Sequence, residues 1–88
     1  MDTKATAQHV GQRIVRDQQI HGGEPTIKGT RVPVRSIVLT YRYYGDVARV
    51  RRAYPRVDRE AVEQALAFYK ANKEEIDRYI AESDSEDD

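Results

Sequence analysis

The chain has 88 residues, of which 39% are hydrophobic and 34% charged, and it contains no cysteine. That leaves room for one small domain but not for a barrel or a two-lobed nucleotide-binding enzyme, and it excludes a disulfide framework, a thiolate nucleophile and a cysteine-held zinc or iron–sulfur site. The net charge of zero conceals a split: residues 1–56 carry eleven Lys/Arg against four Asp/Glu and residues 57–88 carry four against eleven, so +7 faces −7.

Such a split suits a basic surface for an anionic partner, and equally an attraction between the two halves or between two antiparallel copies. No apolar run is long enough to span a membrane, and the start lacks the apolar core of a signal peptide. A cytoplasmic chain without a membrane association is therefore expected.

Residues 1–12 are polar with scattered alanines and read as a flexible arm. Residues 13–16 place Ile14 and Val15 between two arginines, a short strand. His21, Gly22, Gly23 and Pro25 mark a turn, residues 26–28 a second short strand, and Gly29 and Thr30 its end. Residues 31–34 are extended, because the residue before Pro33 avoids the helical region. Val34, Ile37, Val38, Tyr41 and Tyr44 then share one helix face, with Pro33 at the start and Gly45 at the stop.

Asp46 caps a second helix carrying Val47, Val50 and Tyr54, and Pro55 ends it. Asp58 caps a third, whose stripe is Ala61, Val62, Ala65, Leu66, Phe68 and Tyr69. Asn72 with Glu75 three residues on has the form of a capping box, opening a fourth segment with Ile76, Tyr79 and Ile80 on its apolar side. Residues 83–88 form a like-charged acidic tail, expected to be disordered alone. The expected fold is mainly α: a small helix-turn-helix bundle over residues 13–82 with a short N-terminal β-hairpin or strand pair. A domain this small buries little on its own, which favours oligomerisation.

Residues 23–30 are a near miss to a phosphate-binding loop, with the lysine and the second glycine exchanged and an extended proline segment in place of a helix; both differences argue against nucleotide binding of that kind. His9 and His21 have no carboxylate at ligand spacing, so no metal or other cofactor is expected. Asp58, Glu60 and Glu63 complement a helix dipole without invoking catalysis. No Ser–His–acid arrangement is visible, and the chain reads as a non-enzyme. The basic side says more. Arg49, Arg51, Arg52 and Arg56 surround the second helix, and Lys28, Arg31, Arg35 and Arg42 lie on the turn segment and first helix. Arginine's planar fork suits phosphate, so all eight are candidates for DNA contact. Helices two and three, joined through Tyr54 to Val57, have the form of a helix-turn-helix; the acids at the start of the third repel phosphate, although they can accept from cytosine.

Gly22, Gly23, Pro25, Ile27, Gly29, Thr30, Arg31 and Val34, followed by Tyr54 and Pro55 at the end of the second helix, resemble the pattern of the bacterial domain-of-unknown-function family 433. The resemblance runs from about Ile14 to Ile80, though the stretch from Gly45 to Tyr54 lacks that family's common Leu-Ser-Pro turn. It implies a homeodomain-like helix-turn-helix, often dimeric, acting as an antitoxin: the globular part binds operator DNA and the C-terminal part binds a PIN-like ribonuclease toxin. On that reading Ile76, Tyr79 and Ile80 dock on the partner as an amphipathic helix; the other reading of these three is that they cap this chain's own core or its dimer. The alternative is a protein-interaction module that never touches DNA.

Overall fold

The chain is described by a computed structural model over residues 7–86, with side-chain surroundings for residues 10–83. It is mainly helical. Strands β1 (Ala7–His9), β2 (Ile14–Asp17) and β3 (Thr26–Ile27) precede helices α1 (Val34–Tyr44), α2 (Val47–Ala53), α3 (Arg59–Ala71) and α4 (Lys73–Glu86). The sheet has three antiparallel strands in the order β1-β2-β3, with Gln8 opposite Arg16 and Val15 opposite Thr26.

The helix boundaries follow local chemistry. α1 ends at Gly45, in the left-handed region, and α2 starts where the Asp46 carboxylate accepts from the Ala48 N–H at 2.9 Å. Asp58 caps α3 in the same way, accepting from the Ala61 N–H at 2.8 Å, which satisfies a donor that the first helical turn leaves without a partner. Because that N–H bonds its ionised form, the Asp58 carboxyl is held below the usual carboxylate range.

Ile14 and Ile27 from the sheet meet Val34, Ile37 and Val38 of α1, Val50 of α2, and Ala61, Val62 and Ala65 of α3 in a single core. Val57, in the turn between α2 and α3, is fully buried and plugs the junction.

Four expectations need correction. The arm over residues 1–12 holds strand β1, because an edge strand needs only backbone partners, and those come from β2; residues 1–6 lie outside the described residues. The acidic tail does not begin at Ser83, since α4 runs to Glu86: extending a helix already packed along its first turns adds one bond per residue without a new nucleation cost. Residues 87–88 lie outside the described residues. Asn72 forms no capping box with Glu75. Its side-chain amide donates backwards to the Phe68 carbonyl at 3.1 Å, closing α3, and Glu75 is turned to Arg16.

Finally, Ile76 and Ile80 are buried in the chain's own core and Tyr79 packs against it. While α4 is docked, Ile76 and Ile80 offer no surface to a partner, and Tyr79 only part of its ring. Among the described residues no helix is long and apolar enough to cross a membrane.

Candidate nucleic-acid interface

The Gly22–Val34 turn segment is built by its own hydrogen bonds. The Ile27 N–H donates to the Val32 carbonyl and the Val34 N–H to the Pro25 carbonyl. Thr30 Oγ1 donates to the Ile27 carbonyl and accepts from the Val32 N–H, each near 2.9 Å. Pro25, Ile27 and Val34 are buried. Most of the motif therefore shapes the loop, and Arg31 projects from it, exposed.

The preceding turn is strained. His21 and Gly22 both have positive φ, 52° and 65°, and the Gly23 N–H closes the turn on the Ile20 carbonyl. Glycine adopts that geometry freely, but a side chain at His21 does so at a cost. Its ring is fastened in return: Nε2 lies 2.7 Å from the Arg31 carbonyl, tying this turn to the loop that carries Arg31.

The cations divide into two groups. The first is occupied internally. Arg35 donates to Glu24 at 2.7 Å, with that carboxylate almost wholly buried. Arg42 donates to the Tyr69 hydroxyl at 2.6 Å and lies over its ring, and the hydroxyl in turn donates to Asp77 at 2.7 Å. Arg35 and Arg42 are therefore held by internal partners: moving Arg35 would strip the buried Glu24 of its cation, and moving Arg42 would break its bond to the Tyr69 hydroxyl, although Asp77 keeps Tyr69 and Lys73.

Two further clamps had no sequence signature. Arg16 on β2 makes a two-pronged pair with Glu75 on α4, at 2.6 and 3.0 Å. Arg13 reaches Asp58 at 3.4 Å and Glu60 at 3.1 Å. Arg59 pairs with Glu63 one helical turn on.

Five of the second group line adjoining hollows on one face. Lys28, Arg31 and Arg56 line an open cleft of about 440 Å³. Arg31 and Arg56 also border a second hollow with Ala53, Tyr54 and Pro55, and Ala53 leads into a third with Tyr44, Arg49 and Arg52. Among the described residues no carboxylate comes within 4.0 Å of Lys28, Arg31, Arg51, Arg52 or Arg56; Arg49 has only Asp46, at that limit. Arg51 reaches the Val57 carbonyl at 3.4 Å, which fixes it to the α2–α3 turn. Six of the eight candidates are thus brought together around α2, its following turn and the Gly29–Thr30 loop.

Glu75 is held below the ordinary carboxyl value by its hydrogen bonds to Arg16, and the Arg16 guanidinium is raised by the same bond. A depressed carboxyl contributes stability that is complete above its unfolded value and is lost as pH falls through its folded one. Glu75→Gln is expected to cost about 1–2 kcal/mol at neutral pH and to flatten the acid limb of stability. Urea unfolding at neutral pH and at about pH 3 checks this; a variant as stable as the parent at neutral pH contradicts it.

The molecule thus falls in the class of small, mainly helical domains with a short N-terminal sheet and one basic face. The chain belongs to the family described as "Protein of unknown function (DUF433)", whose profile matches residues 14–69. It is similar to a crystal structure of a DUF433 member protein from Anabaena variabilis, with a TM-score of 0.70 and 32% identity over 82% of this chain and 71% of that one. It is also similar to "Uncharacterized protein y4eO" of Sinorhizobium fredii, at 31% identity over 72 residues. Those residues are 82% of this chain and 31% of that protein, so the chain spans less than a third of this relative's length.

Proposed function

We propose that this chain is an antitoxin-type DNA-binding regulator that acts in the cytoplasm, represses its own operon and pairs with a PIN-like ribonuclease toxin. It binds and does not catalyse. The observation that carries the reading is the sorting of cations: those elsewhere in the fold are largely matched to carboxylates, whereas Lys28, Arg31, Arg49, Arg52 and Arg56 line adjoining hollows in a continuous basic face. Arginines placed this way hold phosphates and set register on a duplex. α2, the turn over residues 54–58 and α3 serve as the helix-turn-helix. The acids that open α3 repel DNA less than their number suggests, because Arg13 offsets Asp58 and Glu60 and Arg59 offsets Glu63. Leu39, Tyr43 and Tyr44, still exposed on the C-terminal half of α1, supply the apolar surface for a homodimer or the toxin, in place of the buried side of α4.

The test is fluorescence anisotropy of a labelled duplex with the parent chain, the double variant Arg52→Glu/Arg56→Glu, and Arg78→Glu on α4. The double variant is expected to lose about tenfold or more in affinity, and Arg78→Glu to bind as the parent does. Equal losses in both, or no binding by the parent at low salt, would overturn the reading. A protein-interaction module is the second reading, favoured by exposed Glu60 and Glu63 at the head of α3. A stable partner complex that shifts no DNA would establish it.

A further inference from the structure

We infer that the cleft between the Lys28–Arg31 turn and the α2–α3 turn seats a phosphate group, held by Lys28, Arg31 and Arg56 and by the backbone of Gly29. The inference deepens the nucleic-acid reading and rests on it for the source of the phosphate.

Three cations from two separate segments line this one cleft. Arg31 and Lys28 flank a tight turn, and Arg56 comes from the other side of the fold. Gly29 has φ +80°, and no atom stands within 4 Å of the place a Cβ would occupy. A ligand oxygen can therefore approach its main chain closely, which a side chain would prevent. Among the described residues neither the Gly29 N–H nor the Arg31 N–H has an acceptor, so two backbone donors supplement the three cations. Asp17 is the one acid lining the cleft, and one of its oxygens already accepts from the Gln19 N–H at 2.9 Å.

The loop is also held in place. The strained His21 turn grips the Arg31 carbonyl, and strain of this kind persists where the surrounding structure enforces it. The sequence argues against a nucleotide loop of the familiar kind because no helix follows the lysine directly, and none does: the chain bends at Arg31 and Pro33 bridges back to Thr26 before α1 begins at Val34. What the fold assembles is a different anion seat, made from a left-handed glycine and converging cations, without a helix N-terminus. Arginine forks and a lysine point charge fit a phosphate monoester or diester.

The experiment is an amide and arginine-side-chain NMR titration of the full chain with sodium phosphate, a deoxynucleoside monophosphate and a short duplex, each against sodium chloride at matched ionic strength. Saturable shifts of the Gly29 and Arg31 amides and of Arg56 Nε are expected with phosphate but not with chloride. Lys28→Gln and Arg56→Gln should each weaken binding about fivefold or more, while Arg78→Gln leaves it unchanged. If the duplex shifts the same amides and competes with phosphate, the source is the nucleic-acid backbone. If phosphate or the mononucleotide binds there and the duplex does not, the cleft stands with a free phosphate ester as its ligand and the DNA reading falls. If the duplex binds and Gly29 and Arg31 do not respond, the cleft is overturned and the DNA reading survives. No response to any of the three overturns both.

Discussion

Ile76→Ala is expected to remove about 2–5 kcal/mol of stability, a large share of the roughly 5–10 kcal/mol that holds a domain of this size together. Ile76 is completely buried, on a helix anchored at one end by the Arg16–Glu75 pair and along its length by the common core. Truncation removes the transfer free energy of the lost methyl and methylene groups and leaves a cavity under α4. With a urea slope of about 1–1.5 kcal/mol per molar, the midpoint should fall by about 1.3 M or more. Leu39→Ala, at a partly exposed site on α1, should shift it little. An unchanged midpoint for Ile76→Ala would mean that α4 is not part of the folded unit, and would return its apolar stripe to the role of a docking helix.

The Glu24–Arg35 pair gives the second large effect. The Glu24 side chain is only 7% exposed, and Arg35 Nε donates to it at 2.7 Å. Arg35→Ala leaves a carboxylate in a poorly solvated site, a loss of about 2–4 kcal/mol at neutral pH. Burial already raises the Glu24 carboxyl above its ordinary value of 4.5, partly offset by Arg35, and His21 and Glu82 also act on it. Removing Arg35 raises it further. A carboxyl raised in the folded state binds its proton more readily there than when unfolded, so its burden on stability lessens as pH falls toward the unfolded value. Arg35→Ala should accordingly recover part of its lost stability between pH 7 and about pH 5. Carboxyls with depressed values, Glu75 and Asp77 among them, do not contribute in that window, because their losses begin only at lower pH. Glu24→Leu combined with Arg35→Leu should come close to the parent, since an apolar pair carries no desolvation cost. Urea curves at the two pH values decide the matter. A pH-independent loss in Arg35→Ala would show that Arg35 acts only by packing.

These two predictions also mark what was legible in the sequence. The helices were, because their signals are local. Asp46 and Asp58 sit immediately before apolar periodicity and do cap, and Gly45 and Pro55 stop what precedes them. Strands β2 and β3 were visible as short apolar runs between turn residues. β1 was not, because it pairs through its main chain and has no apolar alternation of its own. The Asn72–Glu75 pattern misled: a capping box and a closing amide use the same residue type, and only the third dimension decides which carbonyl or N–H is near.

The interface was legible in composition but not in detail. Arginine and lysine in the first 56 residues announced a basic surface. Which of them stay available depends on carboxylates far along the chain, and no local pattern reports that. Arg16 finds Glu75 and Arg13 finds Asp58 and Glu60 across more than forty residues; Arg42 finds Tyr69 and Asp77 on two other helices. The +7/−7 split therefore has two parts in the fold. Part of the basic half neutralises the acidic half inside the fold, and the remainder collects on one face.

That remainder is the central claim, and the salt dependence of duplex affinity measures it most directly. Anisotropy titrations of the parent chain across about 50–200 mM salt should give a log–log slope of about −4 to −5, as about five phosphate contacts require. A slope near zero, or no binding at the lowest salt, would contradict it and leave the basic face to a partner other than nucleic acid.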